Sequence, residues 1–204
     1  MENELKQLSQ DFLQGPYEWE MLQGDGSERK IYRITPQKHH HKTLIGVEHK
    51  DLLENEAFVY ITKRMRTLGL PAPEILVVSS DMGCYLTEDL GATNLAEVLP
   101  GWIQKGDSKK VTSAYRSVID LMPRIQQDLP EMMGSFLKHR KMNHKSFVED
   151  ILYFQDNFVQ RFDFLNLFNS RVVLEIQEHL IEPLADLDCD FFVYRDFQSR
   201  NIMW

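Results

Sequence analysis

The residues with the clearest potential for chemistry lie near the end of the chain, in the segment YRDFQSRN at positions 194–201. Within it, Asp196 and Asn201 are five residues apart and follow the apolar run FFV, which is typical of a buried strand. On a loop after such a strand, the carboxylate would accept or orient a hydroxyl proton and the amide oxygen would bind Mg²⁺. Alternatively, both side chains form local hydrogen bonds in a capped turn.

A second candidate is the segment GDGS, which contains Gly24, Gly26 and Ser27 and lies between two strand-like runs. Glycines let the backbone approach a ligand closely, and exposed N–H groups together with the Ser27 hydroxyl can hold phosphate oxygens. The same four residues also fit a tight hairpin turn.

Two further candidates lie between these segments. Glu56, near the start of a predicted helix, either pairs with a base that positions a nucleotide phosphate or is a solvated carboxylate that complements the helix dipole. A strand that ends near Glu88 leads into an extended linker, where backbone groups near Glu88 and Leu90 can pair with a purine edge. The alternative for that segment is a plain linker.

The elements that must position these residues divide into a strand-rich half and a helical half. The first ninety residues predict an α+β lobe with five antiparallel strands, at 18–23, 30–35, 43–48, 74–79 and 84–89. A leading helix is predicted over residues 2–13, with Leu5, Leu8 and Phe12 on one stripe, and a second helix over 55–68. Gly69 supplies a left-handed cap for the second helix.

The second half predicts helices at 93–99, from Asp107 or Ser108 to Leu121, at 146–165 and at 171–180. Pro123 should end or kink the second of these. The helix at 146–165 has aromatic residues at spacings of three and four, which we interpret as a buried core helix.

Composition excludes several classes of protein. The net charge is −8, with 23 Lys and Arg against 31 Asp and Glu, which argues against binding to nucleic acid. No apolar run approaches the length of a membrane span, and the start of the chain lacks the layout of a signal peptide, so we expect a cytoplasmic protein. Two distant cysteines, Cys84 and Cys189, favour neither a disulfide framework nor a zinc cluster. The sequence does not indicate an oligomeric state.

Taken in order, these features resemble the aminoglycoside phosphotransferase/choline kinase family, which has the protein-kinase fold. That family's catalytic loop reads H-x-D-x-x-x-x-N, and here Tyr194, Asp196 and Asn201 stand in the His, Asp and Asn positions. The segment RDFQSRN is nearer still to a bacterial branch of predicted phosphotransferases that includes anomeric kinases of N-acetylmuramate and N-acetylglucosamine.

Two segments of the first half also carry the resemblance. In the family, the helix of the first lobe often begins R-E-A and is followed by G-x-P-x-P, which is similar to NEA at 55–57 and GLPAP at 69–73. The family's hinge, Y-L-L-x-E-x-L-x-G, looks like YLTEDLG at 85–91, and a short Leu-rich helix follows at 94–99.

The resemblance implies a two-lobe, protein-kinase-like enzyme that uses ATP and Mg²⁺ to phosphorylate a hydroxyl of a small molecule, a sugar or an amino sugar. It implies these roles: Asp196 as the base or hydroxyl-orienting group, Asn201 as a metal ligand, Gly24, Gly26 and Ser27 over the phosphates, Glu56 as the anchor of a phosphate-binding base, and Glu88 and Leu90 on the adenine. Residues 1–91 would form the nucleotide-binding lobe, including the leading helix, and residues 92–204 a helical lobe that ends at the catalytic loop.

Two departures from the family pattern matter. The family usually has a Lys on the third strand, whereas TLIGVE has none, and Lys50, Arg29 or Arg33 can each substitute for it. The family's second metal ligand is an Asp well past the catalytic Asn, and the sequence given ends three residues after Asn201. We therefore expect a fragment of a longer kinase-like protein, with an incomplete helical lobe and no activity by itself. The rival hypothesis is a catalytically silent kinase-like module that binds a nucleotide or a protein.

Overall fold

The structure is a computed structural model that describes most of the chain up to residue 159 and shorter stretches beyond it. The described residues are 2–22, 28–37, 42–133, 144–159, 161, 171–172, 175, 178–179, 182–185, 193–194 and 197–204. They form two compact units, one containing residues 1–125 and 195–204 and the other residues 126–194. The predicted lobe boundary at residue 91 stays a prediction.

A five-stranded antiparallel sheet dominates the first unit, which confirms the α+β prediction. Its strands are β1 (Tyr17–Leu22), β2 (Lys30–Pro36), β3 (Leu44–Glu48), β4 (Ile75–Val78) and β5 (Cys84–Glu88). Their spatial order is β1-β2-β3-β5-β4, with every neighbouring pair antiparallel. Each predicted strand is present, with bounds that differ by one residue or less.

Helix α1 (Glu2–Leu13) covers one face of this sheet and has the predicted bounds. Leu5 and Leu13 are buried with Ile34 and Leu86 in a single apolar cluster. The predicted stripe is only partly right, because Phe12 is exposed and Ser9 is buried in its place. A Cβ at Gly46 of β3 would lie 3.3 Å from Cδ1 and Cδ2 of Leu5, so the absence of a side chain at this position lets α1 approach the sheet closely.

Helix α2 (Leu52–Thr67) contributes to a second cluster, in which Val59 packs with Val47 and Tyr85. It begins three residues before the predicted start because the Asp51 side chain caps it by accepting from the Glu54 N–H. It ends at Thr67, one residue before the predicted end, and Gly69, with φ of +66°, follows it in the predicted left-handed conformation.

Three helices follow in the chain: α3 (Leu95–Gln104), α4 (Ser108–Ile119) and α5 (Met122–Met133). Asn94 and Glu97 form a reciprocal capping box at the start of α3, which continues past the predicted end at residue 99. Asp107 caps α4 as predicted, and Pro123 lies in the first turn of α5, where a missing N–H is tolerated.

In the second unit the structure describes α6 (His144–Phe154), a π-helical turn (Gln155–Val159) and a short helix α7 (Glu182–Ala185). Phe154 and Phe158 stack with ring centroids 5.2 Å apart, and both are exposed. The interpretation of this segment as a buried core helix is therefore wrong at these two positions. Helical spacing places aromatic residues on one face, but it does not determine how deeply that face is buried.

None of the described helices is long and apolar enough to cross a membrane.

Candidate functional site

Half of the predicted site residues fall on the part of the chain that the structure describes. Glu56, Glu88, Leu90 and Asn201 are described, whereas Gly24, Gly26, Ser27 and Asp196 lie outside the described residues. The described residues occupy three places in the first unit: the start of α2, the linker after β5, and the segment 197–204, which we call the Asn201 segment.

The Asn201 segment packs onto α3. Asn201 ends a single 3₁₀ turn (Ser199–Asn201), in which its N–H donates to the Gln198 carbonyl at 2.9 Å. On either side of the turn, Phe197 and Ile202 pack against the buried leucines of α3. Apolar contacts therefore hold both ends of the turn, and Asn201 itself is exposed.

Backbone hydrogen bonds join the Asn201 segment to the chain just before α3. The Leu95 N–H donates to the Ile202 carbonyl at 2.8 Å, and the Trp204 N–H donates to the Thr93 carbonyl at 3.0 Å. The Trp204 ring meets Trp102 of α3 edge-on, with centroids 5.4 Å apart. Asn201 thus lies one residue from a short antiparallel pairing with the end of the linker.

The linker begins at the end of β5, where Glu88, one of the two predicted adenine contacts, already forms hydrogen bonds with Glu74. The Glu88 N–H donates to the Glu74 carbonyl at 2.9 Å, and the Glu88 carboxylate accepts from the Glu74 N–H at 3.2 Å. Leu90, two residues later, is exposed. Leu90 lies beyond the end of β5, so it is not part of the sheet.

Asp89 and Arg33 form a buried ion pair beside Leu90. Arg33 donates through Nε to Asp89 Oδ2 at 2.8 Å and through Nη2 to Oδ1 at 3.3 Å, and the Asp89 side chain is only 4% exposed. Burial opposes ionisation of Asp89, but hydrogen bonds from Arg33, Gly91 and Thr43 outweigh it and lower the pKa of the carboxyl. Asp89 is therefore an anion near neutral pH, fixed by its neighbours.

At the start of α2, Arg29 contacts Glu54, which is not among the residues predicted from the sequence. Arg29 Nη2 lies 2.6 Å from Glu54 Oε1, and the other oxygen of Glu54 lies 3.4 Å from His49 Nδ1. The Arg29 guanidinium also lies 5.7 Å from the Phe58 ring centroid. Glu56, the predicted anchor, is exposed on a different side of the helix.

A signal for Glu54 was present in the sequence. Glu54 and Phe58 are four residues apart, so they share a helix face, whereas Glu56 is about 200° around the helix from Glu54. The predicted apolar face began at Phe58, and extending it by one turn would have reached Glu54.

β3 ends at Glu48, a buried carboxylate, whereas the family that the sequence resembles usually has a Lys on its third strand. Glu48 is 3% exposed, and its Oε1 lies 2.9 Å from Nζ of Lys30, directly opposite on β2. Among the three candidates for the missing Lys, Arg33 is bound to the linker, Lys50 is exposed, and Arg29 is held at the start of α2.

Two of the described residues, in separate places of the first unit, have side chains whose chemistry fits a nucleotide with Mg²⁺. The part of the chain that is described contains no group of three or more His, Cys, Asp or Glu side chains that could hold a metal ion. Mg²⁺ is commonly bound by one or two protein oxygens together with phosphates and waters. Asn201 supplies one such oxygen, and Arg29 supplies a charge suited to phosphate.

No protein-family model matches this sequence, and a search of curated proteins gives no significant match.

Proposed function

We propose that the protein is a kinase-like phosphotransferase that uses ATP and Mg²⁺ to phosphorylate a hydroxyl group of a small molecule. The observation that carries the proposal is the pairing of the Asn201 segment with the end of the linker, through the bonds from Leu95 and Trp204. The pairing supports the proposal because Asn201, the proposed metal ligand, is next to Ile202, and Thr93 lies three residues after Leu90 in the linker.

In the proposed site, the linker backbone at Leu90 and the carbonyl side of Glu88 hold the adenine. Arg29 binds the phosphates, and Glu54, rather than Glu56, orients its guanidinium. An arginine suits this role because its planar fork can bind two phosphate oxygens at once. Gly24, Gly26 and Ser27 would cover the phosphates from the loop between β1 and β2.

Asn201 would hold Mg²⁺ through its amide oxygen, and Asp196 would accept or orient the proton of the acceptor hydroxyl. A bound Mg²⁺ would supply positive charge that neutralises the phosphates during transfer. The protein's own contribution is to position the two reactants and to stabilise charge with groups that are already in place. The compact 3₁₀ turn and its apolar anchors at Phe197 and Ile202 serve that purpose.

An amino sugar or a related sugar is the proposed acceptor, and the support for it is the similarity of RDFQSRN to the branch described above. The assay is transfer of the γ-phosphate of ATP to a panel of sugars and N-acetyl amino sugars by the full-length protein.

Asp196→Asn should lower kcat by roughly 10²–10⁴-fold, the usual effect of removing a general acid or base. Gln198→Ala is the matched control, because the Gln198 side chain makes no capping hydrogen bond in the same segment. A wild-type protein that binds ATP but transfers no phosphate would favour the silent nucleotide-binding module. A protein that binds no nucleotide would contradict the proposal.

A further inference from the structure

Arg33 binds the linker at two residues, Asp89 and Gly91. In addition to the two bonds to the carboxylate, Arg33 Nη2 donates to the Gly91 carbonyl at 3.1 Å. The Asp89 carboxylate in turn accepts from the Gly91 N–H at 2.9 Å, which closes a turn of three residues. The two neighbours of Leu90 are therefore both bound to one guanidinium.

The backbone at Gly91 is part of this arrangement. Its φ is +98°, a value that side chains other than hydrogen rarely allow. The turn thus directs the chain from the end of β5 towards Thr93, whose carbonyl accepts from Trp204. Hydrogen bonds thus join β2 to Asp89 and Gly91, and two residues further along the chain the bond from Trp204 joins Thr93 to the Asn201 segment.

We propose that Arg33 and Asp89 are positioning residues that fix the linker backbone at Leu90 relative to Asn201. The inference rests on the proposed function, since it assigns the pair to the adenine contact and the metal ligand of that site. It also assigns Arg33 to the linker, which leaves Arg29 as the phosphate-binding arginine.

The geometry favours a positioning role over a surface ion pair. The Asp89 side chain is 4% exposed, and Arg33 binds it with both Nε and Nη2, so the pair has a defined orientation. Glu20 lies opposite Arg33 on β1 and is exposed. It places a negative charge near Arg33, whereas the paired side-chain hydrogen bonds of Arg33 go to Asp89. A lysine at position 33 would keep the charge but could not reproduce the bonds to both Asp89 and Gly91.

The experiment compares Asp89→Asn and Arg33→Lys with the matched control Glu20→Gln in the 204-residue chain. The first readout is the Kd for adenosine and for ATP, because adenosine reports on the linker without the phosphates. The second readout is hydrogen exchange at residues 93–95 and 202–204, where the Leu95 and Trp204 amides form the pairing.

We expect Asp89→Asn to weaken adenosine and ATP by a similar factor, about tenfold, and Arg33→Lys to have an intermediate effect. Exchange should rise at 93–95 and 202–204 and stay unchanged in α1 and β1, and Glu20→Gln should match wild type in both readouts. Unchanged adenosine affinity in Asp89→Asn would overturn the inference, as would exchange that rises equally throughout the first unit.

Failure of the proposed function gives a different result. If the wild-type chain binds neither adenosine nor ATP, the proposed nucleotide site is wrong. The exchange measurement still tests the link, by which we mean the effect of Asp89 and Arg33 on the pairing between residues 93–95 and 202–204. Unchanged exchange at 93–95 and 202–204 in Asp89→Asn would then overturn the link itself.

Discussion

Two arginines of the β2 region have similar positions in the sequence and different surroundings in the structure. Arg29 and Arg33 are four residues apart; Arg29 immediately precedes β2 and Arg33 lies within it. Arg29 pairs with Glu54, which is 45% exposed on α2, whereas Arg33 pairs with Asp89, which is 4% exposed in the linker.

The difference suggests separate roles for the two arginines: Arg29 as a ligand-binding residue and Arg33 as a residue that stabilises the linker. An ion pair with a partly solvated carboxylate contributes little to stability, so the proposed binding of a phosphate by Arg29 in place of Glu54 would cost little. A buried carboxylate that loses its partner is much less tolerable, so Arg33 stays with Asp89. We therefore expect substitutions of Arg29 to affect activity and substitutions of Arg33 to affect stability and geometry.

The largest expected effect is on turnover. Arg29→Gln in the full-length protein should lower kcat by roughly 10²–10³-fold, because it removes a preorganised donor from the transferred phosphate. Lys50→Gln, which changes the exposed alternative candidate, should stay close to wild type. Equal losses in the two variants, measured as phosphate transfer at saturating ATP, would contradict the assignment of Arg29.

The second effect is on the free energy of unfolding. Arg33→Met should cost about 3 kcal/mol, because Asp89 is left buried without its cation. Arg29→Met should cost below about 1 kcal/mol, because the solvated Glu54 needs no partner. Urea unfolding of the two variants decides the point, and equal values would remove the distinction between the two arginines.

The third effect concerns the turn that Arg33 holds. Gly91→Ala should destabilise the protein by about 1–2 kcal/mol, because φ of +98° strains a residue with a Cβ. Gly101→Ala, in the interior of α3 and with no atom within 4 Å of the added Cβ, should instead stabilise it by about 0.5–1 kcal/mol. Thermal unfolding that moves in the same direction for both variants would refute the role of the turn.

The smallest effect is a dependence on pH. Hydrogen bonds lower the pKa of Asp89 below the unfolded value of about 3.9, so the ionised carboxyl stabilises the fold above that pH. This stability is lost as the pH falls through the folded pKa. The difference in unfolding free energy between wild type and Asp89→Asn should therefore shrink between pH 5 and the acid limit, and a difference that grows there would have the wrong sign.

Local patterns in the sequence were enough for the elements but only partly for the site. The bounds of α1 and the cap at Gly69 follow from apolar spacing and from a backbone conformation that glycine favours, which are both local properties. The pairing of Arg33 with Asp89 joins residues 56 positions apart and depends on the order of β2, β3 and β5. No local pattern encodes that order.

The placement of Glu56 away from Arg29 has a physical cause of the same kind. A match to a short motif fixes a residue's place along a helix but not the side of the helix that packs against the sheet. Docking of α2 against Val47 and Tyr85 turns Glu54 and Phe58 towards Arg29 and leaves Glu56 exposed.

The measurement that tests the account most directly is the affinity of the 204-residue chain for ATP with and without Mg²⁺, in wild type and in Asn201→Ala. If the linker and the Asn201 segment form one nucleotide site, Mg²⁺ should strengthen ATP binding to wild type. Asn201→Ala should lose most of that gain while its metal-free affinity stays unchanged. Binding that responds to Mg²⁺ equally in the two proteins, or no binding of ATP to wild type, would contradict the account.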